Sequence, residues 1–150
     1  MNHGAPPLIV GGMSRINVVA VVIAFLTELG VDLIRSDVVM LILGYSAFKP
    51  GLSDDEAQKI AEAIGNGAPY LTASVLLGTA TTIGGGYFAA RLAKTYPYYN
   101  GLAIGLICLA EGLYFWQMGP LWLSLFSALT VIPASIFGAH LAKPHLPAPE

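Results

Sequence analysis

Charged side chains are scarce in this chain. Aspartate, glutamate, lysine and arginine make up 11% of the 150 residues, while 55% are hydrophobic. Soluble domains carry about 25% charged residues, so the shortage points to an integral membrane protein. The net charge of -2 is too small to attract nucleic acid, and no nucleic-acid partner is expected. There is one cysteine, Cys108, which excludes a disulfide within the chain. It lies in an apolar run and is expected to act as a small buried hydrophobe.

Catalytic signatures are missing too. The three histidines (His3, His140, His145) share no metal-ligand spacing with cysteine or carboxylate, so no metal is assigned. No serine stands in a nucleophile motif. The run "GGGYF" follows no strand and lacks the Gly-Lys-Ser/Thr ending of a phosphate loop. No catalytic residue and no cofactor is assigned, and the chain is expected not to be an enzyme. The start, "MNHGAPPLIVGG", lacks the charged segment of a secretory signal and reads as an irregular tail over 1–14. A second tail is expected over 143–150.

What is present is long apolar stretches. A bilayer core about 30 Å thick needs about 20 mostly apolar residues per helix. Four such segments are expected: a long first helix over 15–47, then 69–92, 98–117 and 120–142. The fold class expected is all-α, a four-transmembrane-helix bundle forming one membrane domain. The first helix is expected to run unbroken through Arg35–Asp37, tilted or kinked, because neither glycine nor proline stands there. Pro69 and Pro120 suit first helical turns, and Pro133 is expected to kink the last helix. The short Gly119–Pro120 turn makes the last two helices antiparallel neighbours.

Between the first two spans lies "SDDEAQKIAEAIGNG". Ser53 and Glu56 have the spacing of a capping box, and Asp54 and Asp55 suit the positive end of a helix dipole. A short amphipathic helix is expected over 53–65, with Ala57, Ile60, Ala61 and Ile64 on its apolar face. It either rests on the bundle rim or offers a docking element. Charge asymmetry orients the chain. Arg15, Arg91, Lys94 and Lys143 fall on one side of a four-span bundle, and Asp54, Asp55, Glu56 and Glu62, against Lys49 and Lys59, on the other. Basic residues stay inside, so both termini are expected to be cytoplasmic in a bacterial inner membrane. Tyr96, Tyr98 and Tyr99 fit an inner aromatic belt, and Tyr114, Trp116 and Trp122 an outer one.

Small residues recur at helical spacing. In the second span Ser74, Gly78, Thr82, Gly86 and Ala90 are four apart and share a face, with Thr81, Gly85 and Ala89 beside them. The third span has Gly101, Gly105 and Gly112, with Cys108 between them. Helices in lipid associate by close packing, so these stripes predict tight helix contacts.

Acids inside apolar spans are costly and are candidates for function. Glu28 lies 13 residues past Arg15 and Glu111 lies 13 past Tyr98. Thr79 lies 12 before Arg91 and Thr130 lies 13 before Lys143. At about 1.5 Å per residue all four sit roughly 18–20 Å from the basic side, a polar layer of carboxyls facing hydroxyls. Asp32 and Arg35 follow Glu28 at i+4 and i+7. Three roles are open: neutral hydrogen-bonded acids that specify packing, an ion network of Glu28, Asp32 and Arg35, or a proton or cation site used in transport.

The segments "LGVDLIRS", "GLSDDEAQ", "GGGYFAARLAK" and "YPYYNGLAIGLI" occur in that order. Over roughly residues 15–117 the chain resembles a loose group of small four-span bacterial inner-membrane proteins with no assigned activity. The resemblance implies the topology and no chemistry. The expected partners are the lipid bilayer and other membrane subunits or further copies. The function expected first is an accessory or structural subunit, with a small proton- or cation-coupled transporter or channel as the alternative.

Overall fold

The computed structural model describes residues 15–45, 47, 49–115 and 120–143. Five helices follow in order: α1 (Val18–Gly44), α2 (Asp54–Gly65), α3 (Ala68–Ala93), α4 (Pro97–Tyr114) and α5 (Leu121–Ala142). The described residues are all-α and contain no strand. The expected tail over 1–14, the expected tail over 143–150 apart from Lys143, Trp116 and the Gly119 half of the last turn lie outside the described residues.

Each helix has a local cause. Asn17 caps α1, its side chain accepting the Ala20 N–H at 3.1 Å. The helix continues through Ser36 and Asp37 because nothing there favours a turn. The Ser36 hydroxyl donates to the Asp32 carbonyl at 2.8 Å, so it makes its bond within the helix. At α2 both halves of the capping box form: the Glu56 N–H donates to Ser53 Oγ, and the Ser53 N–H donates to Glu56 Oε2 at 2.9 Å. That backbone bond holds the Glu56 carboxyl below its ordinary range. Ala57, Ile60, Ala61 and Ile64 are half-buried while the acids of α2 are exposed, which is the expected amphipathic division.

The turn from α3 to α4 is only three residues long, and it is strained. Lys94 (φ 60°) and Tyr96 (φ 48°) are both left-handed, at roughly 1–2 kcal/mol per residue. Asn100 offsets this. Its side chain is fully buried, and Nδ2 donates to the Thr95 and Tyr96 carbonyls, each at 3.0 Å. Its Oδ1 accepts the Asn17 N–H at 2.8 Å, so one amide fastens the turn to the start of α1.

α3 packs against α5, α4 and α1. The crossing with α5 is backbone to backbone. A Cβ at Gly86 would overlap the Ser135 carbonyl, and one at Gly138 would overlap the Ile83 carbonyl. On α4, a Cβ at Gly101 would meet Ala139 Cβ at 2.6 Å, and one at Gly105 would overlap Ser135 Oγ. Ala90 is fully buried with Ala139 and Ala142. Ala89 packs with Val21, Ala24 and Ile104. The buried core is thus mostly alanine and glycine, with Val21 and Ile104 its only larger apolar members among the described residues. The large apolar side chains point outward: Ile42 and Leu129 are 69% and 76% exposed.

The small-residue stripes do not all serve helix contacts. Gly78 faces the Arg35 side chain, 3.1 Å from where a Cβ would stand, and not a neighbouring backbone. Gly112 has nothing within 4 Å of such a Cβ. Ser74 offers its carbonyl to Arg35 Nη1 at 3.0 Å. The i+4 register of α3 drifts around the helix, so Ser74, Gly78 and Thr82 look toward α1 and a cavity, while Gly86 and Ala90 look toward α5.

Arg15, Arg91, Lys94 and Lys143 gather at one end, while α2 at the other carries Asp54, Asp55, Glu56 and Glu62 against Lys59. Tyr98 at the start of α4 meets His140 near the end of α5, Oη to Nδ1 at 2.8 Å. Arg15 lies over the Tyr96 and Tyr99 rings and Lys143 over Tyr98. This end therefore gathers Arg15 and Lys143 beside the end of α3, which carries Arg91 and Lys94. His140 thus holds Tyr98 through its ring.

One described helix, α5, is long and apolar enough by itself to cross a membrane. α1 carries Glu28, Asp32, Arg35 and Asp37, α3 is diluted by four threonines and four glycines, and α4 opens on Tyr-Tyr-Asn. Of the four spans expected from composition, only α5 meets this test among the described helices, so helix length and apolarity do not support the four-span bundle.

Candidate functional site

The acids of α1 are placed by its periodicity. Glu28, Asp32 and Arg35 share the face turned to α3 and α4. Glu28 is 7% exposed. Its carboxyl lies where a Cβ on Gly85 would stand, so this glycine opens the seat for the acid. The Cys108 thiol of α4 donates to Glu28 Oε2 at 3.4 Å, and the Thr82 hydroxyl of α3 lies against the same carboxyl.

One turn on, Thr81 Oγ1 donates to Asp32 Oδ1 at 2.8 Å. Arg35 Nε stands 3.3 Å from the same oxygen without an aligned hydrogen bond, while its Nη1 reaches the Ser74 carbonyl. Asp32 and Arg35 thus form a pair anchored to α3. Glu28 is outside it and takes thiol and hydroxyl contacts instead, so of the three roles left open the ion network does not extend to Glu28.

These groups line one cavity of about 310 Å³. α1 contributes Glu28, Asp32 and Arg35 to its wall, α3 contributes Thr79 and Thr82, α4 contributes Glu111 and α5 contributes Thr130. The six polar candidates named from the sequence therefore meet in one chamber. Their predicted pairing is different. Thr79 and Thr130 donate back to Val75 and Phe126 of their own helices, each at 2.8 Å. The hydroxyls that meet the carboxyls are Thr81 and Thr82, which sequence spacing placed in a packing stripe. Phe115 and Phe126 add aromatic rings, and Gly112 leaves the wall open at α4.

Two further cavities adjoin it. A cleft of about 310 Å³ between α4 and α5 shares Cys108, Gly112, Phe115, Leu123, Ser127 and Val131 with the chamber wall, and is otherwise lined mainly by leucine and alanine. An apolar groove of about 320 Å³ between α1 and α3 reaches Glu28 from the other side, past Gly84 and Gly85.

Asn100 and Gly85 were not singled out as site residues, although each organises its surroundings. A buried asparagine two residues into a tyrosine-rich helix start was the available signal for the first. Gly85 had none, because its role depends on a carboxyl 57 positions away in the chain. Comparison with protein-family models, curated proteins and solved structures gives no match.

Proposed function

We propose that this protein is a four-span membrane protein whose chamber binds a cation, and that it works as a small proton- or cation-coupled transporter. The observation that carries this is the meeting of Glu28, Asp32 and Glu111 in one cavity between helices, with Arg35 as the single described cation in its wall. Three carboxyls against one guanidinium favour a positively charged occupant. Membrane residence is supported by the packing. A core of alanine and glycine under an exposed coat of leucine, isoleucine and phenylalanine is unfavourable in water and suited to lipid. Glu28, Asp32, Arg35, Ser74, Thr79 and Thr82, which lower the apolarity of α1 and α3, line the chamber. Basic residues at one end and acidic α2 at the other favour cytoplasmic termini in an inner membrane.

Reconstitution tests the proposal. Wild-type proteoliposomes should move protons or a small cation down an imposed gradient, and Glu28→Gln and Glu111→Gln should each abolish that flux. Flux unchanged in both variants would overturn the assignment.

A second reading is the accessory subunit. It is favoured by the wide apolar flank of α1, where Val18, Val19, Leu33, Ile34, Leu41 and Ile42 are all exposed. Native mass spectrometry of protein extracted from its own membrane separates the two. A stable hetero-complex supports the subunit role, and a lone monomer argues against it.

A further inference from the structure

We infer that the chamber takes a hydrophobic organic cation, with its charged head among Glu28, Asp32 and Glu111 and its apolar body in the cleft between α4 and α5. This rests on the proposal that the chamber binds cations and names the class of cation.

Three observations carry it. First, the apolar cleft adjoins the acid-lined chamber, with six wall residues in common. Together they match the general form of a small-molecule site, mostly apolar with a few convergent polar groups. A bare hydrated ion would leave the cleft unused. Second, among the described residues no three His, Cys, Asp or Glu side chains converge closely enough to hold a metal ion. Asp32 is already engaged by Thr81 and Arg35. The carboxyls are spread around the wall, which suits a bulky cation whose charge is diffuse. Third, Phe115 and Phe126 stand in the wall beside the acids. Aromatic faces attract alkylated or arylated cations, whose weak hydration makes desolvation cheap.

The cleft exists because α4 and α5 separate beyond Gly105. Up to that point, glycine against Ser135 holds them backbone to backbone. Beyond it, Gly112 meets nothing within 4 Å, and Leu109, Leu113, Leu125 and Ala128 line the gap. The open space is thus formed by apolar side chains next to charged ones, at the end of the bundle away from Arg15 and Lys143.

Equilibrium dialysis of the purified full-length protein in dodecyl maltoside tests this with tetraphenylphosphonium, its shape-matched anion tetraphenylborate, and tetramethylammonium. Tetraphenylphosphonium should bind saturably and at least tenfold more tightly than tetramethylammonium, and tetraphenylborate should show no saturable binding. The anion controls for partition into detergent, and the comparison needs no variant. Ala128→Phe, which fills the cleft, should weaken tetraphenylphosphonium at least tenfold more than tetramethylammonium. Equal affinity for the two cations, or saturable binding of tetraphenylborate, would overturn the inference. If wild-type proteoliposomes move protons or a small cation while tetraphenylphosphonium fails to bind, the inference falls and the cation-transport proposal stands. If neither flux nor binding is seen, both fall.

Discussion

The three consecutive glycines of α3 should respond to the same substitution in three different ways. Consider Gly84→Ala and Gly86→Ala, two residues apart on one helix. Each gains the same helix propensity, up to about 1 kcal/mol, so this contribution cancels between them. At Gly84 the added methyl meets nothing within 4 Å. At Gly86 it overlaps the Ser135 carbonyl oxygen and stands 2.7 Å from its carbon and 2.8 Å from the Ser135 Cα. Carbon atoms pack best at about 3.5–4.0 Å, so α3 and α5 must part by roughly 1 Å. The obstacle is backbone and cannot rotate away. Overpacking of this kind costs about 1–3 kcal/mol, and the rigidity of both sides puts the expected difference at the upper end. Gly84→Ala should leave the protein as stable as wild type or slightly more so, and Gly86→Ala should be clearly less stable. Gly85→Ala should fall between them, because the group it displaces is the movable Glu28 carboxyl. Reversible unfolding in mixed dodecyl maltoside and dodecyl sulfate micelles, followed by circular dichroism, measures all three. Stabilities of the Gly84 and Gly86 variants within about 0.5 kcal/mol of each other would refute the backbone contact between α3 and α5.

Asn100→Ala should destabilise the fold by at least about 1–3 kcal/mol, since the Asn17 N–H and two turn carbonyls lose a buried partner. An unchanged melting temperature would show that water replaces the amide. The α2 capping box should respond to acid. The Glu56 carboxyl sits below its ordinary value, so its contribution is present above that value and is lost as the pH falls through the lowered one. Protection from amide exchange over 53–57, taken relative to the free-peptide rate at each pH, should therefore fall in acid in the wild type but show no such step in Glu56→Gln. Cys108 lies in the chamber wall beside the acids. Its modification by a cationic methanethiosulfonate should be at least tenfold faster than by an anionic one of similar size. The ratio should fall in Glu111→Gln, and equal rates would refute an acidic chamber.

Local features were legible because they depend on near neighbours in the chain. The Ser53/Glu56 box is complete within four residues and formed as spaced. The uninterrupted α1 followed from the lack of glycine or proline near Ser36 and Asp37. The depth count grouped Glu28, Thr79, Glu111 and Thr130 from the constant rise of a helix, and all four line one cavity. Depth does not fix rotation about a helix axis. For that reason Thr79 and Thr130 turn back on their own carbonyls while Thr81 and Thr82 reach the acids. The same uncertainty split the α3 stripe, sending Gly78 to Arg35 and Gly86 to α5.

The sequence by itself determined the helices, their caps, the scarcity of charge and its division between the two ends, all set by composition and short-range spacing. Only the tertiary structure decided which helix faces meet. It set Gly85 under Glu28, paired Gly86 with Ser135, left Gly112 open and joined the acids to an apolar cleft. Those outcomes depend on helix rotation and crossing, which are fixed by contacts between residues far apart in the chain and leave no periodic trace within any one segment.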